Sequence, residues 1–577
     1  MIKLMSKFRK IDYFLLIFVI AFAVGQVYFD LKLPEKTATI ISQMINPTQS
    51  VADIWKTGQE MLLVCLASGL CTVAIGFMAT LIATNFAKTL RQEMFEKIES
   101  FSLEEMNTFE TASLITRTTN DIQQVQMAYG MSLRLIFIAP ITAIWAITKI
   151  GNVSGMLSLS VGLVIAFIVA LIAVIFILVM PRFRRVQGLT DALNDVTRDN
   201  LTGLRVVRAY DAEEYEHNKF ERANNELTHN NLVANRIMGI LGPALTIATS
   251  LISLIVYWVG ADLINEVKLN YADLTSFTSY AMQILMSFLM LSMLFIMIPR
   301  ASVSASRILE VLNANNKITN PHIAIPIKGD ASLVFKDVSF KYPGDAENAI
   351  FDINFKVEKG ETLAIIGATG SGKTSIVNLI PRFYDVTSGE VLVNGHNIKE
   401  YTKEDLRHVI GYVPQHKVLF SGDIKSNIKF EKDHITNLEM EEAAHIAMAD
   451  EFIEKMPETY DSHVAQGGKN FSGGQQQRIS IARAIAKNPQ IYIFDDSFSA
   501  LDYRTDKEVR KRLKEKTSDA VSIIVAQRIG TIMDADKIIV LEKGEIVGYG
   551  KHQELLKTCD VYKEIALSQL SKEELGL

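Results

Sequence analysis

One glycine-rich segment of the 577-residue chain has the residue types and spacing that hold a phosphate chain. This segment starts at the last residue of the apolar segment TLAIIG and leads into the helical pattern SIVNLIPRFY. Glycines let backbone N–H groups converge on phosphate oxygens, and the helix that follows adds a partial positive charge. We expect Lys373 to reach the β- and γ-phosphates of ATP or GTP and Thr374 to bind Mg²⁺. The candidate residues are Gly367, Ala368, Thr369, Gly370, Ser371, Gly372, Lys373, Thr374 and Ser375.

Two acidic residues, Asp495 and Asp496, directly follow the apolar segment IYIF at 491–494. A carboxylate at the end of a buried strand can hold the water shell of Mg²⁺, and we assign this role to Asp495. Between the glycine-rich segment and these acids lies FSGGQ at 471–475, followed by the helical pattern ISIARAIA. A Ser-Gly-Gly turn alone indicates only a loop.

The composition indicates that these elements belong to a chain with a second, apolar part. Hydrophobic residues make up 49% of the sequence and charged residues 21%, and the mean hydropathy is +0.18. This mixture is typical of a membrane part joined to a soluble part. The net charge of −5 provides no basic field for a polyanion, so the sequence argues against nucleic acid as a partner.

Six apolar segments are long enough to cross a bilayer, which takes about 20 helical residues. Basic residues before the first segment and after the fourth place the N-terminus and the C-terminal half in the cytosol by the positive-inside rule. We interpret the first segment as a retained helix, because no small-residue cleavage pattern follows it. The segments are 11–30, 60–86, 131–150, 156–180, 236–260 and 274–298.

Long, charged connections with helical periodicity, 87–130 and 181–235, extend these segments into the cytosol. Two short stretches could form their tips, 111–121 (TASLITRTTND) and 208–215 (RAYDAEEY). Each is either a solvated helical hairpin or a docking element for a soluble domain. Their position between membrane segments favours docking.

No residue in the apolar segments identifies a substrate, but a few could contact one. Five methionines recur on one face of the sixth segment, where a flexible thioether surface accepts ligands of different shapes, although helix or lipid packing explains them equally well. Gln26, Arg134 and Gln283 are polar residues at membrane depth or its edge. Cys65, Cys71 and Cys559 have no disulfide or zinc spacing, and we interpret them as structural. The methionines are Met282, Met286, Met290, Met293 and Met297.

The predicted fold is therefore multidomain. An all-α, six-helix transmembrane domain occupies 1–314, and a linker with two prolines occupies 315–329. An α/β P-loop NTPase domain occupies 330–577.

In this order the segments resemble the ATP-binding-cassette (ABC) family, because SGGQ lies between the phosphate-binding loop and the strand ending in Asp495. The resemblance covers nearly the whole chain and implies ATP and Mg²⁺ as cofactors. It also implies that Tyr342 stacks on adenine, that Gln415 is the Q-loop residue near Mg²⁺, and that Asp502 lies in the D-loop. The signature residues would be Ser472, Gly473, Gly474 and Gln475. Six helices ahead of the cassette resemble an exporter half-transporter.

The chain departs from the family pattern at two reacting positions. Asp496 stands where hydrolysing cassettes have glutamate, and Gln527 stands where they have the switch histidine. Aspartate is one methylene shorter, and glutamine cannot take a proton at neutral pH. Gln466, ahead of the signature, is a third departure. We expect the site to bind ATP better than it hydrolyses it.

The resemblance also implies that two cassettes pair head to tail, so that each ATP lies between one subunit's phosphate loop and the other's signature. An intact signature beside a substituted site predicts a heterodimer with a half-transporter that has the glutamate and the histidine. The expected function is export of amphipathic small molecules across the cell membrane. A regulator or gate that does not transport, or an exporter of lipids or peptides, remains the alternative.

Overall fold

The chain forms two compact units in the computed structural model, which describes residues 2–46, 48–151, 155–266, 269–430 and 435–575. The first unit comprises Met1–Glu99 and Ala112–Ala314. The second comprises Ser100–Thr111 and Asn315–Leu577. The division differs from a single cut near residue 314, because the short segment Ser100–Thr111 packs with the C-terminal half of the chain.

Helices make up the N-terminal half of the described chain. A single π-helical turn, Arg117–Asp121, joins α4 to α5. The helices are α1 (Lys10–Ile45), α2 (Val51–Glu99), α3 (Leu103–Phe109), α4 (Thr111–Thr116), α5 (Ile122–Gly151), α6 (Gly155–Thr202), α7 (Leu204–Ala209), α8 (Glu213–Gly239), α9 (Leu241–Asn265) and α10 (Tyr271–Leu312).

Among the residues that the structure describes, six continuous helical stretches are long and apolar enough to cross a membrane, and their lengths run from 36 to 53 residues. A bilayer needs only about 20 residues, so these helices extend well beyond it. Large apolar side chains face outward, such as Val73 and Phe77 of α2, each 70% exposed. Side chains of the same helix that face its neighbours, such as Ala79, are buried. Apolar side chains that face outward indicate a lipid environment, because exposed apolar surface of this extent is rare in soluble proteins.

Each predicted apolar segment lies within one of these stretches. The stretches are Lys10–Ile45, Val51–Glu99, Thr111–Gly151, Gly155–Thr202, Glu213–Asn265 and Tyr271–Leu312.

A buried ionic cluster fixes the π turn before α5 against α10. Asp121 is only 6% exposed, and its carboxylate accepts a hydrogen bond of 2.7 Å from the Ser304 hydroxyl. Arg307 forms an ion pair with the same carboxylate at 3.2 Å. The cluster pairs a buried charge with both a cation and a hydroxyl donor, which offsets the cost of removing it from water.

The second unit is built on three sheets. The largest has the order β12-β11-β3-β10-β9-β6, and it is parallel except for the β11–β12 pair. The others have the orders β2-β1-β4-β5 and β7-β8. The strands are β1 (Ser332–Phe340), β2 (Ile350–Glu358), β3 (Thr362–Gly367), β4 (Ser388–Val393), β5 (His396–Asn397), β6 (Ile410–Val413), β7 (Gly422–Asp423), β8 (His463–Val464), β9 (Ile491–Asp495), β10 (Val521–Val525), β11 (Lys537–Glu542) and β12 (Glu545–Gly550).

Helices cover the large sheet, whose adjacent strands β9 and β10 are buried along their whole length. Burial on both faces explains their unbroken apolar sequences, because no strand face meets water. The helices are α11 (Lys373–Leu379), α12 (Lys403–His408), α13 (Ile424–Lys429), α14 (Asn437–Ile446), α15 (Asp450–Ile453), α16 (Gly473–Ala486), α17 (Tyr503–Lys516), α18 (Ile529–Ile532), α19 (His552–Thr558) and α20 (Asp560–Gln569).

The short helix α3 packs with the second unit. Ser102 caps it through a capping box with Glu105, and the Glu105 carboxylate also accepts a hydrogen bond of 3.1 Å from the backbone N–H of Lys317. The amide of Asn107 donates to the Tyr384 hydroxyl at 3.2 Å. Burial, the largest influence, raises the pKa of Glu105, but the hydrogen bonds from Ser102 and Lys317 together hold that pKa below its ordinary value.

The part of this region that packs with the second unit is Ser100–Thr111, whereas 112–121 belongs to the first unit and to the third long apolar stretch. The docking role of 111–121 stays a prediction. The chain bends at Glu110, which has a φ of 55°. The mixture of charged and apolar residues in TASLITRTTND arises because the helix passes the buried cluster around Asp121.

Candidate nucleotide site

The phosphate-loop and acidic segments meet at the carboxyl edge of the parallel sheet. Strand β10 lies between β3 and β9, and Val525 pairs with Ile365 on one side and Asp495 on the other. Parallel strands end at the same edge, and ligands of open α/β sheets bind in the crevice outside that edge. The topology therefore brings together residues that are more than 120 positions apart in the sequence.

The loop before α11 has a backbone that only glycine suits. Gly372 has a φ of 98°, and a Cβ there would lie 2.6 Å from the Ile350 side chain and 2.9 Å from the Ala349 carbonyl oxygen. Lys373 begins α11, and its Nζ donates to the carbonyl oxygens of Gly367 at 2.8 Å and Ala368 at 2.7 Å. Burial lowers the pKa of Lys373, while Asp496 and Asp495 oppose that effect. The ammonium group is thus held over the loop where phosphate would lie.

Asp495 and Thr374 form the candidate Mg²⁺ site. Asp495 is 1% exposed, and its Oδ1 lies 3.5 Å from the Thr374 hydroxyl. Burial raises the pKa of Asp495 to about 6, while the Thr374 contact opposes the shift. A buried carboxylate without a directly bonded cation is costly, and Mg²⁺ prefers oxygen ligands of this kind. The residues present therefore fit a magnesium ion.

Asp496 and Gln527 contact each other directly. The Gln527 Nε2 donates a hydrogen bond of 3.0 Å to the Asp496 Oδ2. Asp496 has a φ of 48°, in the left-handed region, and its backbone N–H donates to the Val525 carbonyl oxygen. Burial raises the pKa of Asp496, with hydrogen bonds and cations opposing it. The two substituted positions thus form one unit at the edge of the site.

These groups line a cavity of about 320 Å³. Tyr342, half-buried, lies on its wall and shares a hydrogen bond of 3.0 Å with the Ser375 hydroxyl. Ser371 is buried beside the loop and within 3.4 Å of Lys373 Nζ. The predicted residues that line the cavity are Tyr342, Thr369, Gly370, Gly372, Lys373, Thr374, Ser375, Gln415, Asp495, Asp496 and Gln527.

The signature and D-loop residues lie elsewhere in the unit, since the lining of the cavity within the described residues does not include them. Ser472 caps α16, and its hydroxyl and backbone N–H pair with Gln475 in a capping box. Gly473 and Gly474 form the first turn of that helix. Asp502 caps α17, where its carboxylate accepts from the N–H and the hydroxyl of Thr505.

Sequence reasoning missed several residues around the site. Ala349 and Val525 complete the cavity wall, and the Ser499 hydroxyl donates to the Asp496 carbonyl oxygen at 2.9 Å. Tyr384 lies against Tyr342, with ring centroids 5.3 Å apart at 85°. The spacing of Ser499, three residues after Asp496, is a turn signal that could have identified it. No sequence pattern marks the others, because strand pairing and tertiary packing place them.

Fold and site together define a P-loop nucleotide-binding protein that also contains six helices long enough to span a membrane. The ABC transporter transmembrane region model matches residues 14–316, and the ABC transporter model matches residues 350–499. An uncharacterized ABC transporter ATP-binding protein of Mycobacterium tuberculosis is 38% identical over 553 residues, covering 95% of this chain and 94% of that protein. The chain belongs to the ABC transporter family.

Two further comparisons concern the exporter type. A Staphylococcus aureus protein, proposed by its name to be a multidrug export ATP-binding/permease protein, is 32% identical and covers 85% of each chain. A solved structure of a bacterial Atm1-family ABC exporter with ATP bound has a TM-score of 0.80 and 24% identity, covering 95% of this chain and 96% of that one. The latter likeness concerns the fold.

The comparisons confirm the predicted fold class, six apolar membrane helices followed by an ABC nucleotide-binding domain. The chain is a multi-pass membrane half-transporter of the exporter type with both domains fused, and it couples ATP hydrolysis to transport. ATP and Mg²⁺ are its cofactors, as predicted. The individual roles of the site residues remain predictions.

Proposed function

We propose that the chain is one subunit of a heterodimeric exporter of amphipathic small molecules, and that it provides the slower of two ATP sites. The Asp496–Gln527 contact is the observation that carries the proposal. In a hydrolysing site a carboxylate at this position orients the attacking water. Here the Asp496 Oδ2 already accepts the Gln527 amide at 3.0 Å.

Two physical effects slow hydrolysis at such a site. Aspartate places its carboxylate one methylene nearer the backbone, and a displacement of about 1 Å can cost about a hundredfold in rate. Gln527 donates a hydrogen bond as histidine does, but it cannot exchange a proton near neutral pH. Binding is affected less, because the loop N–H groups contact the phosphates without either residue, and Asp496 keeps the negative charge that helps hold Lys373 protonated.

Bound Mg²⁺ would neutralise charge on the transferring phosphate. Thr374 and Asp495 would hold it, with Gln415 on the same cavity wall. Lys373 would bind the phosphates, and Tyr342 would contact the adenine. The presence of these side chains in the wall of one cavity supports the assignments, and the roles of Tyr342 and Gln415 are those that the family resemblance implies.

The signature segment supports a role for this chain at a second site. Ser472 is exposed at the start of α16, and the capping box fixes its orientation before any partner binds. A fixed N-terminal turn is suited to phosphate, because its N–H groups and helix dipole favour anions. We propose that Ser472 to Gln475 complete the active site of a partner subunit with the glutamate and the histidine.

The proposed cargo and location rest on the first unit and on one relative. Outward-facing apolar helices and the multidrug export name of the S. aureus relative support amphipathic cargo. The basic residues that flank the first and fourth segments support a cytosolic N-terminus and ATP-binding domain. The bilayer proposed is the cell membrane.

A paired mutation experiment tests the proposal. The two-chain complex is reconstituted, and ATPase activity and dye export are compared for a Glu→Gln change in the partner and for Asp496→Asn in this chain. We expect the partner change to remove nearly all activity and Asp496→Asn to have a mild effect. The reverse pattern, or ordinary ATPase and transport by this chain alone, would refute the heterodimer. ATP binding without export by any pair would instead indicate a regulator or gate.

A further inference from the structure

A cavity of about 430 Å³ lies among α1, α5 and α10 within the first unit. Asp30 of α1 contributes a carboxylate to its wall, and Gln26 and Gln283 contribute amides. Asp30 lies twenty residues beyond Lys10, which corresponds to about 30 Å along a helix. The hydrocarbon core of a bilayer is about 30 Å thick, so the site belongs to the end of the span opposite Lys10.

Among the polar groups of the residues that line this cavity, two hydrogen-bond acceptors have no donor. Gln26 donates its amide to the Asp30 Oδ2 at 3.4 Å, and Gln283 donates its amide to the Asp30 backbone oxygen at 3.3 Å. The Oε1 atoms of both glutamines are buried and have no hydrogen-bond partner. Unpaired buried oxygens are costly, and only a donor can satisfy them. Asp30, Gln26 and Gln283 thus line one cavity in which a ligand with N–H groups would fit, and a small rotation of either amide would bring its oxygen to that ligand.

The carboxylate of Asp30 also has no cation beside it within the described structure. The lining of the cavity contains no lysine, arginine or histidine among the residues described. The neighbouring lysines of α1 are directed elsewhere: Lys32 lies 4.6 Å from the Tyr28 ring centroid, and Lys36 forms an ion pair with Glu60 at 2.6 Å. Its oxygens accept hydrogen bonds from the Ser68 hydroxyl and the Gln26 amide, which leave the negative charge itself without a cation. An acidic residue in a membrane helix marks a functional site by default.

The rest of the cavity wall favours an organic ligand over an inorganic cation. Ile138 supplies apolar surface, and Met286 and Met290 line the same wall while remaining 51% and 41% exposed. Unbranched thioether side chains adapt to differently shaped apolar groups. The volume also far exceeds that of a single ion. Two of the five methionines that stood out in the sequence therefore lie beside the carboxylate.

From this arrangement we propose that Asp30, with Gln26 and Gln283, binds the ammonium group of amphipathic amines, while Met286 and Met290 contact their apolar part. The inference rests on the proposed export function and specifies its substrate class. The positive charge of a protonated amine pairs with the carboxylate, and a primary ammonium, which has three N–H groups, can also donate to the glutamine oxygens. A neutral alcohol of equal size fills the same space but leaves the carboxylate without a cation.

The test uses the full-length chain in nanodiscs and two fluorescent probes with the same dansyl group and ten-carbon chain, one ending in an amine and one in an alcohol. We expect Asp30→Asn to weaken amine binding about tenfold or more, with little change for the alcohol. Glu35→Gln is the matched control, because Glu35 lies on the same helix but pairs with Lys149. It should leave both affinities unchanged.

Equal weakening of both probes by Asp30→Asn would overturn the inference, since it would indicate a structural role. Gln283→Glu provides a second readout that does not remove Asp30: it adds a negative charge to the wall and should strengthen amine binding. Competition of the amine by Na⁺ or K⁺ at millimolar concentration would assign the site to inorganic cations and overturn the inference as well. Asp30-dependent amine binding without amine export would uphold the site and refute only the export function.

Discussion

Asp496 occupies a backbone conformation that favours aspartate over glutamate. Its φ of 48° lies in the left-handed region, which aspartate and asparagine visit several times more often than other residues with side chains. The backbone N–H is fixed to Val525, and the side chain is bonded to Gln527. A change at either side chain therefore acts on a pair rather than on an independent group.

Restoring the two family residues should act non-additively. We expect Asp496→Glu with Gln527→His to raise hydrolysis at this chain's own site by about ten- to a hundredfold, and each single change to give much less. The longer carboxylate reaches further toward the site, and histidine replaces the amide that now holds Asp496. Single-turnover phosphate release with the partner's glutamate inactivated measures this. Asp519→Glu, at an exposed position, is the control; additive single effects would contradict the coupling.

The buried carboxylate of Asp495 should make the nucleotide-free protein less stable at neutral pH. Its pKa in the folded state is about 6, above the ordinary value of 3.8, so the folded state holds the proton more tightly than the unfolded state. Stability from this group is lost as pH rises from about 4 to 6. Asp495→Asn should therefore raise stability at pH 7.5 by on the order of 2 kcal/mol.

Thermal unfolding without nucleotide and Mg²⁺ at pH 7.5 and pH 4.5 checks this sign. The unfolding temperature of the Asp495→Asn variant should exceed that of the unchanged chain at pH 7.5, and this difference in unfolding temperature should shrink at pH 4.5. Asp519→Asn, which removes an exposed carboxylate, should show neither effect. A difference of the same size at both pH values would exclude ionisation as the cause.

At the scale of elements, α3 contacts the same tyrosine pair that borders the nucleotide cavity. Asn107 donates to Tyr384, whose ring packs against Tyr342, and Tyr342 is hydrogen-bonded to Ser375. Because α3 also lies between α2 and α4 along the chain, we expect a shift of these side chains on nucleotide binding to be passed to the adjoining helices. Four groups in a row thus connect the phosphate loop to the chain leading into the membrane.

Disrupting this contact should separate nucleotide binding from transport. We expect Asn107→Ala to leave ATP affinity within about twofold and to reduce substrate-stimulated ATPase activity and export several-fold, because only one hydrogen bond of the connection is lost. Nucleotide binding and export by the reconstituted complex measure the two effects. Asn437→Ala, at an exposed position in α14 of the same unit, is the control. Equal loss of binding and export would indicate that α3 serves stability alone.

Elements with a regular repeat could be predicted from the sequence, and short or tertiary-dependent ones could not. Twenty apolar residues identify a span, and a phosphate loop is recognisable because its glycines are needed at defined positions. Helix α3 has seven residues, too few for a clear period, although the Ser102-x-x-Glu105 capping pattern marks its start. The apolar pattern predicts that the first segment ends at Asp30, yet α1 continues to Ile45, because Ser68 and Gln26 donate hydrogen bonds to the Asp30 carboxylate and let the helix pass it.

At the scale of the whole molecule, the proposed assembly requires each chain to serve two sites with different residues. This chain would use Lys373 and Asp495 at its own site and the Ser472 turn at the partner's. The separation of these groups within one unit is consistent with that division, since the signature does not line the cavity that contains Lys373. Loss of the Ser472 turn should then affect the partner's hydrolysis, whereas loss of Lys373 should affect nucleotide retention here.

Unequal sites should retain different nucleotides after turnover. The complex is given a photoreactive ATP that is labelled on the γ-phosphate, and after several turnovers it is diluted rapidly and crosslinked by light. We expect this chain to hold intact, labelled ATP. The partner should lose that label, because its glutamate orients the water that attacks the terminal phosphate, whereas Asp496, held by Gln527, does so poorly and hydrolysis here is slow. Lys373→Ala should abolish the label on this chain. A Glu→Gln change in the partner should leave the label on both chains. Equal loss of γ-label from both chains would mean that the Asp496 site hydrolyses at an ordinary rate, and the asymmetric assembly would have to be abandoned.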